Sequence, residues 1–200
     1  MILRHSPTSP FVLKVMVLLH EKGMVDRVTI DAVDGWSEPA VLTAENPLSM
    51  VPTLLLDDGQ VLYDSAVICD YLDSQYGGPA MIPDGQDRWQ VMCDQALADG
   101  MLDCAVLIFL ELGKRPQAKQ WDWWLTLKRH AIERSLDQLE ACTDKLTPRV
   151  DLGTVSIAVA LAYLDLRNVV GDWRAPRPGL SKWHANFAAR SSMVATAPVA

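Results

Sequence analysis

No stretch of this 200-residue chain reaches the length of uncharged apolar sequence, about eighteen residues, that a membrane-spanning helix requires. The segment Phe11 to Leu19 is apolar, but Lys14 interrupts it and no small-residue cleavage site follows, so it does not read as a signal peptide. Basic residues are also scarce. The 18 Lys and Arg stand against 25 Asp and Glu, giving a net charge of −7 and a pI near 5.0. That balance argues against nucleic acid, whose binding rests on clustered cations. Metal-ligand spacing is missing from both residue types that would show it. Cys69, Cys93, Cys104 and Cys142 sit within helical patterns, and His5, His20, His130 and His184 are scattered. The cysteines read as buried free thiols of a cytoplasmic protein, and no metal is expected. What remains is an ordinary globular composition, 50% hydrophobic and 22% charged, long enough for one large domain or two small ones.

The most informative stretch runs from Asn46 to Ser65. Thr53 to Leu56 is apolar and extended, Asp57-Asp58-Gly59 is a strong turn signal, and Val61-Leu62-Tyr63 suits a returning strand, so a β-hairpin is expected. Pro52 stands where a strand begins and keeps Val51 out of the helical region, leaving the Val51 backbone extended and open to a partner. Asp64-Ser65 then opens a helix, Ala66 to Leu72, whose N-terminal N–H groups and dipole favour a carboxylate.

Upstream, Ile2 to His5 is strand-like, and Ser6-Pro7-Thr8-Ser9-Pro10 breaks it. Phe11 to Lys22 has helical spacing and stops at Gly23, with Ser9 at the N-cap and Pro10 at the first helical position. Val25 to Asp31 reads as a second strand, a loop follows around Trp36, and a short helix is expected over Pro39 to Thr43. The order is βαβαββα. Beyond the Gly77-Gly78-Pro79 and Pro83-Asp84-Gly85 breaks only helical patterns occur: Trp89 to Ile108, Lys119 to Lys145, Asp151 to Arg167 and Leu180 to Ala189, with a tail from Ser191 to Ala200 that should fray. The Trp residues at 89, 121, 123 and 124 read as core or interface.

The pattern Asn46-Pro47, Val51-Pro52-Thr53-Leu54 and Asp64-Ser65 resembles the thioredoxin-like half of the soluble glutathione transferases, and the helical second half extends the resemblance over nearly the whole chain. The resemblance implies a thioredoxin-like α/β domain at residues 1–76, a linker at 77–85 and an all-α domain at 86–200. It also implies a cis Pro52, a Val51 backbone that pairs with the cysteinyl part of glutathione, and an Asp64-Ser65 pair that holds the γ-glutamyl end. Ser9-Pro10-Phe11 is similar to the family's reactive segment, as in bacterial-type members with serine there. Ser9 is then the catalytic candidate, Thr8 its nearest rival, and Phe11 a neighbour of the peptide. For the second substrate the resemblance points to Trp36, Met101 and Leu102, and to Asp99 or Asp103 as an acid reaching across a dimer interface. The implied protein is a cytoplasmic, homodimeric glutathione transferase with glutathione as co-substrate and a small hydrophobic electrophile, in a detoxifying role. The alternatives are a glutathione-dependent peroxidase and a non-catalytic glutathione- or partner-binding module.

A free cysteine thiol has a pKa of about 8.5, so little of it is thiolate at neutral pH. A hydroxyl donor and a helix N-terminus both favour the thiolate, and Ser9 combines them; it could instead serve only as a cap. Serine forms no mixed disulfide, so thiol transfer through this position is not expected. Two departures from the family pattern stand out. Met50 occupies the position where many relatives carry a cation for the glycyl carboxylate, with Lys14 and Arg4 as possible substitutes. At the start of the third long helix the family's Ser/Thr-then-Asp order is swapped to Asp151-then-Thr154, which should keep the cap, lose the reciprocal carboxylate contact, and be supported by a Val150–Val155 hydrophobic staple.

Overall fold

The computed structural model describes residues 1–37 and 39–197. Its contacts divide the chain into two compact units, Met1–Arg88 with the segment from Ser191, and Trp89–Arg190. The first is a four-stranded sheet flanked by helices and the second is entirely helical, the two-part architecture that the resemblance implies.

In the first unit β1 (Ile2–His5) leads to α1 (Pro10–Glu21), β2 (Thr29–Ala32), α2 (Ala40–Glu45), β3 (Thr53–Leu55), β4 (Val61–Leu62) and α3 (Ser65–Gln75). The sheet order is β2-β1-β3-β4, with β1 parallel to β2 and antiparallel to β3, and β3 antiparallel to β4. Leu3 and Leu54 from the sheet, Val15, Leu18 and Leu19 from α1, and Ile68 and Leu72 from α3 have essentially no exposed surface and form the core. Burying each such side chain is worth about 1.5–3 kcal/mol. The helix starts follow from their caps: Ser9 precedes Pro10 at α1, and Asp64 precedes α3. Gly23, at φ 65°, ends the first of these in the left-handed region open to glycine. A buried ion pair ties α1 to α3. The Lys22 ammonium lies 2.7 Å from the Asp73 carboxylate, which also accepts the Met81 and Ile82 N–H groups.

Three local expectations in this unit are corrected. Val25–Arg27 forms a turn of 3-10 helix, and the strand begins only at Thr29. The short helix covers Ala40–Glu45 instead of Pro39 to Thr43. The tail does not fray over Ser191–Ala195, which forms α9 and buries Ser192 and Met193; residues 198–200 lie outside the described residues. Only small residues surround Met193, so the periodicity that would reveal this helix is weak.

The second unit consists of α4 (Asp87–Lys114), α5 (Asp122–Ala141), α6 (Thr143–Leu146), α7 (Leu152–Arg167) and α8 (Pro178–Ala188), with α7 buried along nearly its whole length. At its start the Asp151 carboxylate accepts the Thr154 N–H at 2.9 Å, and the Thr154 hydroxyl accepts the Asp151 N–H at 3.0 Å. The reciprocal contact expected to be lost with the swap is therefore kept, because a threonine hydroxyl can accept where a carboxylate would. Val155 is buried, whereas Val150 remains 40% exposed, so Val150 contributes less to a staple than expected. Arg149 binds Asp94 of α4 and Asp151, each at 2.7 Å, and locks the first turn of α7 to α4. Gly153 permits that approach, since a Cβ there would meet Asp94 Cβ at 2.8 Å.

Two readings of side chains are also corrected. The cysteines are free, but only Cys69 is buried, while Cys93 is exposed and Cys104 and Cys142 are intermediate. Of the core-or-interface reading of the tryptophans, only the core alternative is removed, for Trp89, Trp121 and Trp123, which are 58–65% exposed, while Trp124 is half-buried. Among the described residues no helix is long and apolar enough to cross a membrane, and no cluster of His, Cys, Asp and Glu could hold a metal ion.

Candidate active site

Strand register brings the first unit's candidates to one end of the sheet. Arg4 pairs with Thr53 and Leu54 with Leu62, so the end of β1, the beginning of β3 and the end of β4 coincide. Thr8 and Ser9 follow β1, Met50, Val51 and Pro52 precede β3, and Asp64 and Ser65 follow β4. Because β2 is parallel to β1, Trp36 in the short 3-10 turn after β2 emerges at the same end, 68% exposed.

Ser9 is half-buried, with extended backbone at φ −81° and ψ 120°. Its Oγ accepts the Val12 N–H at 3.4 Å, a long contact that holds the hydroxyl loosely at the first turn of α1. The hydroxyl proton is not used by that bond, so Oγ is able to donate toward an anion beside the positive end of the helix. Thr8 is exposed and makes no cap, and Phe11 lies half-buried on the first turn of α1. His5, at the end of β1, is pushed below its usual pKa of 6.5 by burial.

The loop before β3 is held from within. The Asn46 side-chain amide donates to the Met50 carbonyl at 3.1 Å and to Thr53 Oγ1 at 2.9 Å, and its oxygen accepts the Leu48 N–H at 3.0 Å. Thr53 Oγ1 donates to the same Met50 carbonyl at 2.8 Å. Asn46 and Thr53 are both buried, so this network fixes the loop from its dry side. Their role escaped the sequence reading, although both stand inside the quoted motif; an Asn followed by Pro at a loop entrance is the signal that could have revealed it. The Val51–Pro52 peptide is cis, and no described residue hydrogen-bonds to the Val51 backbone. An extended segment could use both of its free groups, as in strand addition.

At α3 the Asp64 carboxylate accepts the Ala66 N–H at 3.0 Å from an exposed position, and Ser65 is buried. Capping uses one acceptor of Asp64, and a carboxylate has several. An ammonium at Asp64 and a carboxylate over the helix N–H groups would together suit the zwitterionic end of an amino acid.

Neither cation considered for the Met50 position is open to a ligand there. Arg4 is clasped by Glu45 and Asp31, and the bond to Glu45 raises its pKa further. Lys14 is fully buried and already engaged within the chain. Met50 itself is 63% exposed. The remaining candidates lie on α4 in the second unit: Met101 and Leu102 are buried, Asp99 is intermediate and Asp103 is exposed.

A family model for the N-terminal domain of glutathione S-transferase matches residues 8–75. The chain is 36% identical over 201 residues to YibF, an uncharacterised GST-like protein of Escherichia coli K12, and covers 96% of it. Among solved structures it is similar to a glutathione transferase family member from Pseudomonas fluorescens Pf-5 with bound glutathione, at 45% identity and a TM-score of 0.96, covering 100% of this chain and 99% of the other. A glutathione S-transferase from Methylobacillus flagellatus KT, also with glutathione bound, gives 33% identity and a TM-score of 0.88, with 99% of each chain covered.

Proposed function

Because the chain belongs to the glutathione S-transferase family, we propose that it binds glutathione at the converging end of the first unit's sheet and conjugates its sulfur to a small hydrophobic electrophile. The observation that carries this reading is the convergence of three elements at that end: the Ser9-capped start of α1, the unpaired Val51 backbone beside cis Pro52, and the Asp64-capped start of α3. Val51 pairs with the cysteinyl peptide groups, and Asp64 and Ser65 hold the γ-glutamyl zwitterion. Ser9 Oγ donates to the thiolate, with Thr8 and Phe11 beside it. In conjugation the thiol proton passes to solvent, the sulfur forms a bond to the electrophilic carbon, and the displaced group leaves with its electron pair. Following the family resemblance, we assign an electrophile contact to Trp36 of the first unit and read Asp99 or Asp103 as the acid that reaches across a dimer interface; Met101 and Leu102, 2% and 0% exposed, offer the electrophile no surface. The protein is read as a cytoplasmic homodimer with a detoxifying role, and the exposed Trp89, Trp121 and Trp123 support an assembly larger than one chain.

A second reading, a glutathione-binding module with little turnover, is favoured by the exposed Met50 and by the engagement of both Arg4 and Lys14. A missing charge-assisted contact costs about 1.5–3 kcal/mol of binding, roughly 10- to 150-fold in affinity. Calorimetric titration with glutathione, followed by conjugation assays with 1-chloro-2,4-dinitrobenzene, tests both readings. Saturable binding that Asp64→Ala weakens by about tenfold or more, together with turnover, is the expected result. Binding without turnover selects the module, and no binding at millimolar glutathione by the folded protein overturns the proposal.

A further inference from the structure

The turn between α4 and α5 puts large apolar side chains in solvent. Trp121 and Trp123 are 59% and 58% exposed, and Leu112 and Leu127 on the adjoining helical turns are also open. The rings form one group: Trp121 lies 4.9 Å from Trp123 and stacks on Trp124 at 6.4 Å, and the Lys128 ammonium sits 4.2 Å from the centre of the Trp124 ring. The turn is braced from beneath. The buried Glu111 carboxylate accepts the Trp121 backbone N–H at 3.0 Å and binds Arg115 at 2.7 Å, while the Gln120 side-chain amide donates to the Leu112 and Arg115 carbonyls, both at 3.2 Å. Trp89 stands near the opposite end of α4, about 35 Å away along the helix at 1.5 Å per residue, and stays with the assembly proposed above.

Charge accompanies the rings. From Lys114 to Lys128 four cations stand against one acid, Asp122, in a chain whose net charge is −7. Arg115 is paired with Glu111 and Lys128 with the Trp124 ring, but Lys114 and Lys119 are exposed and have no partner among the described residues. Rings more than half open line no groove of this chain, so the partner must receive them. An indole is apolar over its faces and polar at its N–H, and it settles at the level of lipid headgroups, where anionic headgroups also attract lysines. A polynucleotide would need a track of cations, and two free lysines on an acidic chain do not make one. An anionic bilayer needs only the local charge, because charge farther away than a Debye length of about 8 Å is screened.

We propose that the α4–α5 turn docks the protein peripherally on an anionic lipid surface, with Trp121 and Trp123 seated among the headgroups and Lys114 and Lys119 against their anionic groups. The attachment is to the surface alone, since no helix among the described residues is long and apolar enough to cross a membrane. Every residue of the patch belongs to the second unit, whereas the residues assigned to glutathione belong to the first, so the docking does not depend on the transferase reading.

The test is co-sedimentation of the full chain with sucrose-loaded vesicles of phosphatidylcholine containing about 30% phosphatidylserine, beside vesicles of phosphatidylcholine alone. The anionic vesicles should bind the protein at least about tenfold more tightly, with affinity that falls as salt is raised, and soluble phosphoserine at millimolar concentration should not displace it. Lys114→Glu with Lys119→Glu should weaken that binding by roughly 25-fold or more, about fivefold for each lysine lost, at an unchanged melting temperature. Trp121→Ala with Trp123→Ala should weaken it by at least about tenfold and remove the quenching of tryptophan fluorescence by lipids brominated near the headgroup, with no change in elution volume. Sedimentation with neither vesicle, equal binding to both, or indifference to the lysine or the tryptophan substitutions would overturn the proposal. So would a smaller assembly in Trp121→Ala with Trp123→Ala, which would assign the rings to contact between copies of the chain, or binding of an oligodeoxythymidine in place of vesicles.

Discussion

Replacing Ser9 with alanine separates its two roles, because they are read by different measurements. As a helix cap, Ser9 makes one long bond of 3.4 Å to the Val12 N–H. Loss of a serine cap costs about 0.5–2 kcal/mol, and a contact this long belongs near the lower end, so the melting temperature should fall by roughly 1–4 °C. As a donor to the sulfur of bound glutathione, the same hydroxyl would form a charge-assisted hydrogen bond worth about 1.5–3 kcal/mol to the thiolate alone. At 1.36 kcal/mol per pKa unit, its removal should raise the pKa of the bound thiol by about 1–2 units. The ultraviolet absorbance of the thiolate, followed against pH at saturating glutathione, reads that shift directly. The conjugation profile should move by the same amount, so the variant is slowed by about 10- to 100-fold in the acid arm and recovers at high pH. Ser9→Thr, which keeps a hydroxyl, should restore most of the profile. An unshifted thiol titration in Ser9→Ala, or a rate lowered equally at every pH, would refute the role and leave Ser9 as a cap alone.

Two further expectations concern the helical unit. In Gly153→Ala the new Cβ would lie 2.8 Å from Asp94 Cβ and 3.0 Å from the Val91 carbonyl oxygen, forcing α7 away from α4; the expected loss is about 1–3 kcal/mol, and a calorimetric melting temperature equal to or above the parent would refute the close packing. His184 is buried, and burial pushes its pKa below 6.5, opposed by the Asp165 charge and reinforced by Arg174. As pH falls through about 6.5 the unfolded chain takes up a proton that the folded chain resists, so stability is present above that pH and declines below it. Melting temperatures at about pH 7.5 and about pH 5.5 should therefore differ less in His184→Gln than in the parent, and parallel behaviour would remove His184 from the account.

The parts of the fold legible in the sequence were those written in local chemistry. Ser9-Pro10 and Gly23 bounded α1, Asp57-Asp58-Gly59 placed the turn, and Val51-Pro52 with Asp64-Ser65 marked the end of the sheet where the candidates gather. What remained hidden depended on partners distant in sequence. Arg4 looked available for a ligand until Asp31 and Glu45, 27 and 41 residues away, were seen to enclose it. Lys14 sits in an apolar helical pattern that says it lies inside and nothing about what it meets there. For Trp89, Trp121 and Trp123 bulk hydrophobicity left core and interface both open, and only position on the helix, which leaves them exposed, removes the core. Thr154 was misjudged for a different reason: its reciprocal bond to Asp151 needs only an acceptor at the right height above the first turn, and the family's carboxylate is one of several groups that qualify.

The last described helix has a consequence for how the chain can be assembled during synthesis. α9 packs on α1, and the Ser192 hydroxyl bonds to the Glu21 carboxylate, although 171 positions of sequence separate the two residues. A chain that emerges from its N-terminus and folds unit by unit can collapse the strands and α1 to α3 early, but it cannot cover this face of α1 until residues 89–190 have been made. One side of α1 thus stays open until the whole helical unit has been translated, and the bond from Ser192 to Glu21 can form only after it.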